Sequence, residues 1–222
     1  MSLLSFTEEN YIKGIYNLQQ RNESGEASVN EIAERMQTRP ATVTDMLRKL
    51  SEKELIHYEK YKKIRLSENG VLAALEIIRK HRLWETFLHD TLRFSWDEVH
   101  EVAEQLEHIH SRKLIERLDE FLGFPVYDPH GDPIPNAAGE VPESSAQLLK
   151  TVPLNLSCKI VAVKDTSSAF LQQLERFGLQ IGVSLSVEER MPYDNSLMIR
   201  AGGPSFLVSE RIAENLLVLA DA

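Results

Sequence analysis

Ser28-Val29-Asn30-Glu31-Ile32-Ala33-Glu34-Arg35-Met36-Gln37-Thr38-Arg39-Pro40-Ala41-Thr42-Val43-Thr44-Asp45-Met46-Leu47-Arg48-Lys49-Leu50 is the stretch from which the N-terminal fold is read. Ser28 stands three residues before Glu31, the spacing of a capping box that starts a helix. Ile32, Ala33 and Met36 point inward. Gln37-Thr38-Arg39 breaks the pattern, and Pro40 restarts it, because proline suits a first helical turn that needs no N–H. Val43, Met46, Leu47 and Leu50 then recur at helical spacing. This is helix-turn-helix patterning, with the second helix as reader of a DNA groove. Thr38, Arg39, Pro40, Thr42, Thr44 and Arg48 are the candidate DNA contacts from this region.

Upstream, residues 6–21 read as a helix with Thr7 as N-cap and Glu8 and Glu9 in its first turn. Downstream, two short strands at about 55–59 and 63–67 flank a basic turn, a β-hairpin wing. Lys60, Lys62, Lys63 and Arg65 cluster there with Tyr58 and Tyr61, as a phosphate-contacting wing would. An ordinary hairpin with solvated lysines is the plainer alternative.

Helices are expected at about Glu68–Asp90, Ser95–Ile109 (capped by Ser95) and Ser111–Leu122. In the second, His100, Glu104, Glu107 and His108 fall at i, i+4, i+7 and i+8, one stripe of a helix surface. Two imidazoles and two carboxylates on one stripe suit a divalent transition metal. His81 and Glu85 repeat the i, i+4 spacing in the preceding helix, and facing helices can build a metal site between them. A solvated His/Glu face is the competing reading. No His-Glu-x-x-His occurs, so metal-assisted hydrolysis has no support. Trp84, Phe87, Leu88 and Leu92 add apolar surface expected to form part of a dimer interface.

The chain has 222 residues and is 42% hydrophobic. No apolar run approaches the ~20 residues of a membrane span, and Met1–Ser5 lacks a signal-peptide pattern. The single cysteine, Cys158, excludes an internal disulfide and reads as a small core residue. A cytoplasmic location is expected. Net charge is −9. Residues 1–70 balance to zero, 71–150 carry −7 and 151–222 carry −2. The acid excess coincides with the candidate ligands, while the N-terminal third remains free to meet phosphate. Prolines and glycines over 123–148 predict irregular backbone. Beyond about Leu154, strands at 159–163, 183–188, 196–200, 205–208 and 216–219, with a helix at Ser168–Phe177, suggest a small barrel. The expected organisation is a DNA-binding domain at 1–70, a helical metal-binding and dimerisation domain at 71–124, a Pro-rich linker at 125–150 and a β domain at 151–222.

Several segments together resemble the diphtheria-toxin-repressor family of metal-dependent transcriptional repressors. They are Glu9-Asn10-Tyr11-Ile12-Lys13-Gly14-Ile15-Tyr16, Ile32-Ala33-Glu34-Arg35-Met36, Arg79-Lys80-His81-Arg82-Leu83, Val99-His100, Glu107-His108 and His130-Gly131-Asp132-Pro133-Ile134-Pro135. The resemblance spans essentially the whole chain and is looser at the C-terminus. It implies a mainly α chain with small β parts: an N-terminal winged helix, a helical metal-binding and dimerisation domain, and a C-terminal SH3-like β-barrel. It also implies a repressor that binds palindromic double-stranded operator DNA as a homodimer when loaded with metal.

Carried over by motif, Asn10, Glu104, Glu107 and His108 are the implied primary site. His81, Glu85 and His100 are the implied ancillary site, with Asp165 as the candidate ligand from the C-terminal domain. Glu104 stands where iron-responsive members place a cysteine, and a hard carboxylate favours Mn2+ over softer metals. The expectation is therefore Mn2+, with Fe2+ the alternative, and two sites per subunit. Asn10 stands where members carry Met or Asp. Lys13 occupies a position that is acidic in two-domain manganese members, so their binuclear arrangement is not implied. Two other classes stay open at this point: a winged-helix regulator responding to an organic ligand, and a metal-dependent enzyme. No nucleophile motif or phosphate-binding glycine loop supports the enzyme, and neither a small-molecule substrate nor a membrane partner is expected.

Overall fold

The computed structural model describes residues 4–58 and 62–221. These form two compact units, one of Met1–His81, Glu104–Arg112 and Pro135–Glu140, the other of Arg82–Ala103, Lys113–Ile134 and Val141–Ala222.

In the first unit, α1 (Phe6–Arg21) begins at an N-cap of Ser5, not Thr7. Ser5 Oγ accepts from the Glu8 amide, and the Glu8 carboxylate accepts the Ser5 amide at 2.8 Å. Glu8 is the third helical residue, so only Ser5 has the spacing to close the box. α2 (Val29–Arg35) is capped by Ser28 and Glu31 as expected, and α3 (Pro40–Glu52) carries proline in its first turn. β1 (Ile56–His57) and β2 (Arg65–Leu66) pair antiparallel, Ile56 opposite Leu66 and His57 opposite Arg65. The hairpin is shorter than expected because its neighbours bond elsewhere. Leu55 N–H donates to Leu50, and Ile64 exchanges two backbone hydrogen bonds with Ala27. The wing-tip residue Lys60, with Glu59 and Tyr61, lies outside the described residues. Ile12, Ile15, Ile32, Val43, Leu47, Leu50 and Ile64 close a core beneath the helix-turn-helix. Each such burial contributes about 1.5–3 kcal/mol.

α4 (Glu68–Asp90) matches its expected span. α5 (Val99–Leu106) is shorter than the expected 95–109. At its front, the Ser95 hydroxyl reaches the carboxylates of Asp97 (2.8 Å) and Glu98 (2.5 Å), tying 95–98 into a turn. At its end, Ile109 N–H turns back to Leu106. α6 covers Arg112–Phe121. Within the chain itself Trp84 and Leu88 are buried and Phe87 is half-buried, so of the apolar group read as exposed only Leu92 stands out to solvent.

No helix or strand occupies 122–146, as its prolines predict, yet part of this segment is fixed. Asp128, His130, Gly131 and Ile134 are buried. Asp128 Oδ1 accepts the amides of His130 (2.8 Å) and Asp132 (3.0 Å), and Val163 N–H donates to the His130 carbonyl at 3.0 Å. Gly131 sits at φ +83, and a Cβ there would stand 1.9 Å from the Val161 carbonyl oxygen. Only glycine allows so close an approach of two backbones.

The remainder is one antiparallel sheet. β3 (Gln147–Leu148), β4 (Ser157–Val163), β5 (Ser184–Arg190), β6 (Leu197–Arg200), β7 (Phe206–Val208) and β8 (Leu216–Ala220) run in the order β3-β8-β4-β5-β6-β7. α7 (Ser168–Phe177) ends at Gly178, which is left-handed at φ 68. A short α8 (Glu210–Ala213) precedes β8. Ile160, Leu171, Leu174, Leu179, Val187, Ile199 and Val218 fill the core, and the Cys158 thiol lies fully buried among them. This is the small C-terminal β part that the resemblance implied.

Candidate metal centre and nucleic-acid face

The metal-ligand candidates of the first unit come from three places. α1 presents Glu9, Asn10 and Lys13. α4 presents Lys80 and His81. The third group is Glu104 near the end of α5, with Glu107 and His108 in the turn beyond it. The single helical stripe expected from the spacing therefore stops at Leu106, and the turn carries the last two side chains inward.

Glu107 is the centre of this group and is 1% exposed. Its Oε2 lies 2.7 Å from Lys13 Nζ and 2.5 Å from His81 Nδ1, and Lys13 Nζ is 3.3 Å from the same imidazole nitrogen. Burial pushes the Glu107 carboxyl up, but His81 and Lys13 outweigh burial and hold it below the usual carboxylate range. Glu104 remains half in solvent, its Oε1 3.9 Å from Lys13 Nζ.

His108 Nδ1 meets Glu9 Oε2 at 2.5 Å. A carboxylate only accepts, so the imidazole proton belongs on Nδ1 and the lone pair on Nε2. That Nε2 is buried with no hydrogen-bond partner among the described residues, and Glu107 Oε1 stands 3.7 Å away. A carboxylate fixing one imidazole nitrogen while the other faces an acidic oxygen is how proteins orient a histidine toward a cation. Phe6 packs against the His108 imidazole, ring centroids 3.8 Å apart. Glu9 also pairs with Lys80 Nζ at 3.6 Å. Asn10 is half-buried beside Glu9.

His81 belongs to the group around Glu107. In the second unit, His100 Nδ1 lies 3.1 Å from Glu85 Oε1, Glu85 being 3% exposed. Asp165 accepts the Ser167 amide at 2.9 Å just ahead of α7, and among the described residues it belongs to no grouping of three or more ligand-type side chains. Glu9 is a residue the sequence reading missed. Its signal was position alone, one step before Asn10 in a matching segment.

Of the residues expected to meet DNA, Arg39, Pro40, Thr42 and Arg48 are exposed on or beside α3, and Thr38 is half-buried. Thr44 is half-buried, its hydroxyl donating to the Pro40 carbonyl at 3.0 Å, and Arg48 pairs with Asp45 at 3.3 Å. Lys62 and Lys63 are exposed, Lys63 reaching Ser24 Oγ at 3.3 Å. Arg65 is spread over Ser24 and Glu26, which fastens the base of the wing.

Residues 3–64 match the iron dependent repressor N-terminal DNA binding domain. Residues 67–136 match the iron dependent repressor metal binding and dimerisation domain, and 148–220 match the FeoA domain. The iron-dependent repressor IdeR of Mycobacterium leprae is 33% identical over 157 residues, 69% of this chain and 67% of that protein. A solved manganese-dependent transcriptional repressor in complex with manganese aligns at TM-score 0.85 and 31% identity, covering 96% of this chain and 99% of the other. The structure of ScaR with bound Cd2+ aligns at TM-score 0.77 and 32% identity, covering 96% and 98%.

Proposed function

We propose, for a chain that belongs to the iron-dependent repressor family, that it represses transcription in response to Mn2+, with Fe2+ the alternative, by binding a palindromic operator as a homodimer. The family consists of metal-dependent transcriptional repressors, which sets aside the enzyme and the regulator of organic ligands. The observation that carries the reading is the orphaned Nε2 of His108 beside Glu107, held by Glu9. Glu107, His108, Glu104 and Asn10 would hold the primary cation, with Glu9 as positioning residue. His81, Glu85, His100 and Asp165 are the residues proposed for a second. An oxygen- and nitrogen-only set suits Mn2+. When bound, the cation supplies the positive charge that buried carboxylates need and ties α1 to the turn after α5.

The chain's own part is to keep that arrangement ready. Lys13 and Lys80 neutralise Glu107 and Glu9, and Glu9 sets the His108 tautomer. Fixing α1 narrows the positions open to α3, whose Arg39, Pro40, Thr42, Thr44 and Arg48, with Thr38, would face the groove while Lys60, Lys62 and Lys63 face phosphate. The coupling is reciprocal, so operator tightens metal binding by the factor by which metal tightens operator binding. Leu92, Leu114, Phe121 and Phe124 are exposed on or near the ends of α4 and α6, and support the second copy as partner. No helix among the described residues is long and apolar enough to cross a membrane.

The test is operator binding under titration with Mn2+, anaerobic Fe2+ and Zn2+ against a chelated control, beside the double variant Glu107→Ala/His108→Ala. Tighter binding with Mn2+ that the double variant loses supports the reading. Equal affinity in every condition overturns the metal switch.

A further inference from the structure

We infer that Asp45, with Arg48 beside it, reads a C·G base pair in the operator, which makes an acidic residue of α3 a determinant of sequence preference. The inference rests on the reading of α3 as the DNA-facing helix. Asp45 is placed by the core. Val43, Leu47 and Leu50 are fully buried and fix one side of α3. Asp45 stands two residues from Val43 and two from Leu47, about 200° around the helix from each. Its side chain therefore leaves α3 opposite the core, and it is 72% exposed. It belongs to the second turn, and a recognition helix presents its N-terminal residues to base edges. Between Gln37 and Ser51 it is the one acidic residue, among the cations Arg39, Arg48 and Lys49.

A negative side chain in the middle of a face that meets a polyanion works against phosphate binding. Phosphate contact therefore does not account for Asp45, whereas base contact does. A carboxylate only accepts, so it needs a donor on the base edge. In the major groove guanine shows two acceptors, and thymine shows an acceptor and a methyl group. Adenine shows an amino group but sets the N7 acceptor next to it, and two acceptors repel. Cytosine offers its N4 amino group with no acceptor on the same base. Arg48 completes the match. Its Nη1 meets Asp45 Oδ1 at 3.3 Å, one turn further along α3. A guanidinium has five N–H donors, so this bond leaves others for O6 and N7 of the paired guanine. The two side chains are 72% and 63% exposed, a setting in which an ion pair adds little to stability. What the pair supplies is aim: a carboxylate and a guanidinium held side by side, in the arrangement that a C·G pair presents in complement.

The test is selection from a randomised duplex pool by full-length wild type, Asp45→Asn and Asp45→Ala, each saturated with Mn2+ or anaerobic Fe2+. Wild type should enrich C·G at one position of each half-site, and any other pair there should weaken binding by about 5- to 150-fold. An asparagine amide both donates and accepts, which matches N7 and the amino group of adenine. Asp45→Asn should therefore move that position to A·T. Asp45→Ala should accept every pair there, and both variants should keep the rest of the site. Asp45 is exposed, so all three proteins should melt together. The same base preferences in all three proteins overturn the inference and leave the repressor reading standing. A preference that changes along the whole site, rather than at one position, overturns it as well. A wild type that retains no duplex with either metal overturns both readings.

Discussion

Replacing Lys13 with Met should destabilise the metal-free protein and tighten its hold on Mn2+. The ammonium is 2.7 Å from Glu107 Oε2, and the two side chains are 12% and 1% exposed. Deleting one partner of a buried pair costs roughly 3–5 kcal/mol, most of it from the charge left behind. Here His81 still reaches the same oxygen at 2.5 Å, and Met preserves most of the aliphatic packing. About 2 kcal/mol is the resulting expectation. For a chain of this size that lowers the melting midpoint by roughly 4–8 °C. If Glu107 is the ligand, ammonium and cation claim one oxygen. Removing the first then strengthens the second by a similar free energy, about 30-fold in Kd. Thermal melts in chelator and in saturating Mn2+ should show a large gap between Lys13→Met and wild type in the first and a small one in the second. Titration calorimetry measures the affinity. A variant that melts with wild type in chelator and binds Mn2+ no more tightly refutes the idea that Lys13 occupies the cation's place.

Other outcomes follow from local features. Arg39→Ala should weaken operator binding and reduce the slope of log affinity against log salt by about 1, as loss of one phosphate contact does; an unchanged slope removes Arg39 from the interface. Burial pushes the Cys158 thiol up to about 11, so native protein should resist alkylation at pH 8 and react at once in denaturant. Burial pushes the Glu8 carboxyl up, but Lys53 at 2.7 Å and the Ser5 hydrogen bonds outweigh it and leave it lowered. The stability this gives is fully present above the usual glutamate range and is lost as pH falls through the lowered value. Glu8→Gln should therefore flatten the acid limb of stability against pH, and an unaltered limb counts against the pair. Gly131→Ala forces a Cβ against Val161 at a left-handed φ. A loss above about 3 kcal/mol in denaturant melts is expected, with a near-neutral result contradicting the close approach.

The helices were legible where local chemistry acts alone. Ser28 and Glu31 cap α2, Pro40 opens α3, and α4 runs over the span its apolar spacing predicts. Errors fell where a side chain had two plausible bonds. Ser95 looked like a cap but folds its hydroxyl onto Asp97 and Glu98, and Thr7 lost its place to Ser5 by two residues. β3, with two residues, and α8, with four, are too short to show periodicity. The candidate centre was readable as a set of ligand types, but not as a set of neighbours. Glu9 could not be singled out, because its role depends on His108, ninety-nine positions away. The prolines around Asp128 and His130 announce irregular chain, yet this stretch is pinned by its own hydrogen bonds, and irregular does not mean loose.

The proposed ligand sets contain only oxygen and nitrogen donors, and the one sulfur nucleophile in the sequence is sealed inside the C-terminal sheet. Carboxylates and imidazoles cannot climb the thiol ladder to sulfenic acid or disulfide. Peroxide, or the radicals that ferrous iron makes from it, therefore finds no cysteine ligand to cap. A repressor whose metal sites are built from the proposed residues would not mistake oxidant for metal starvation.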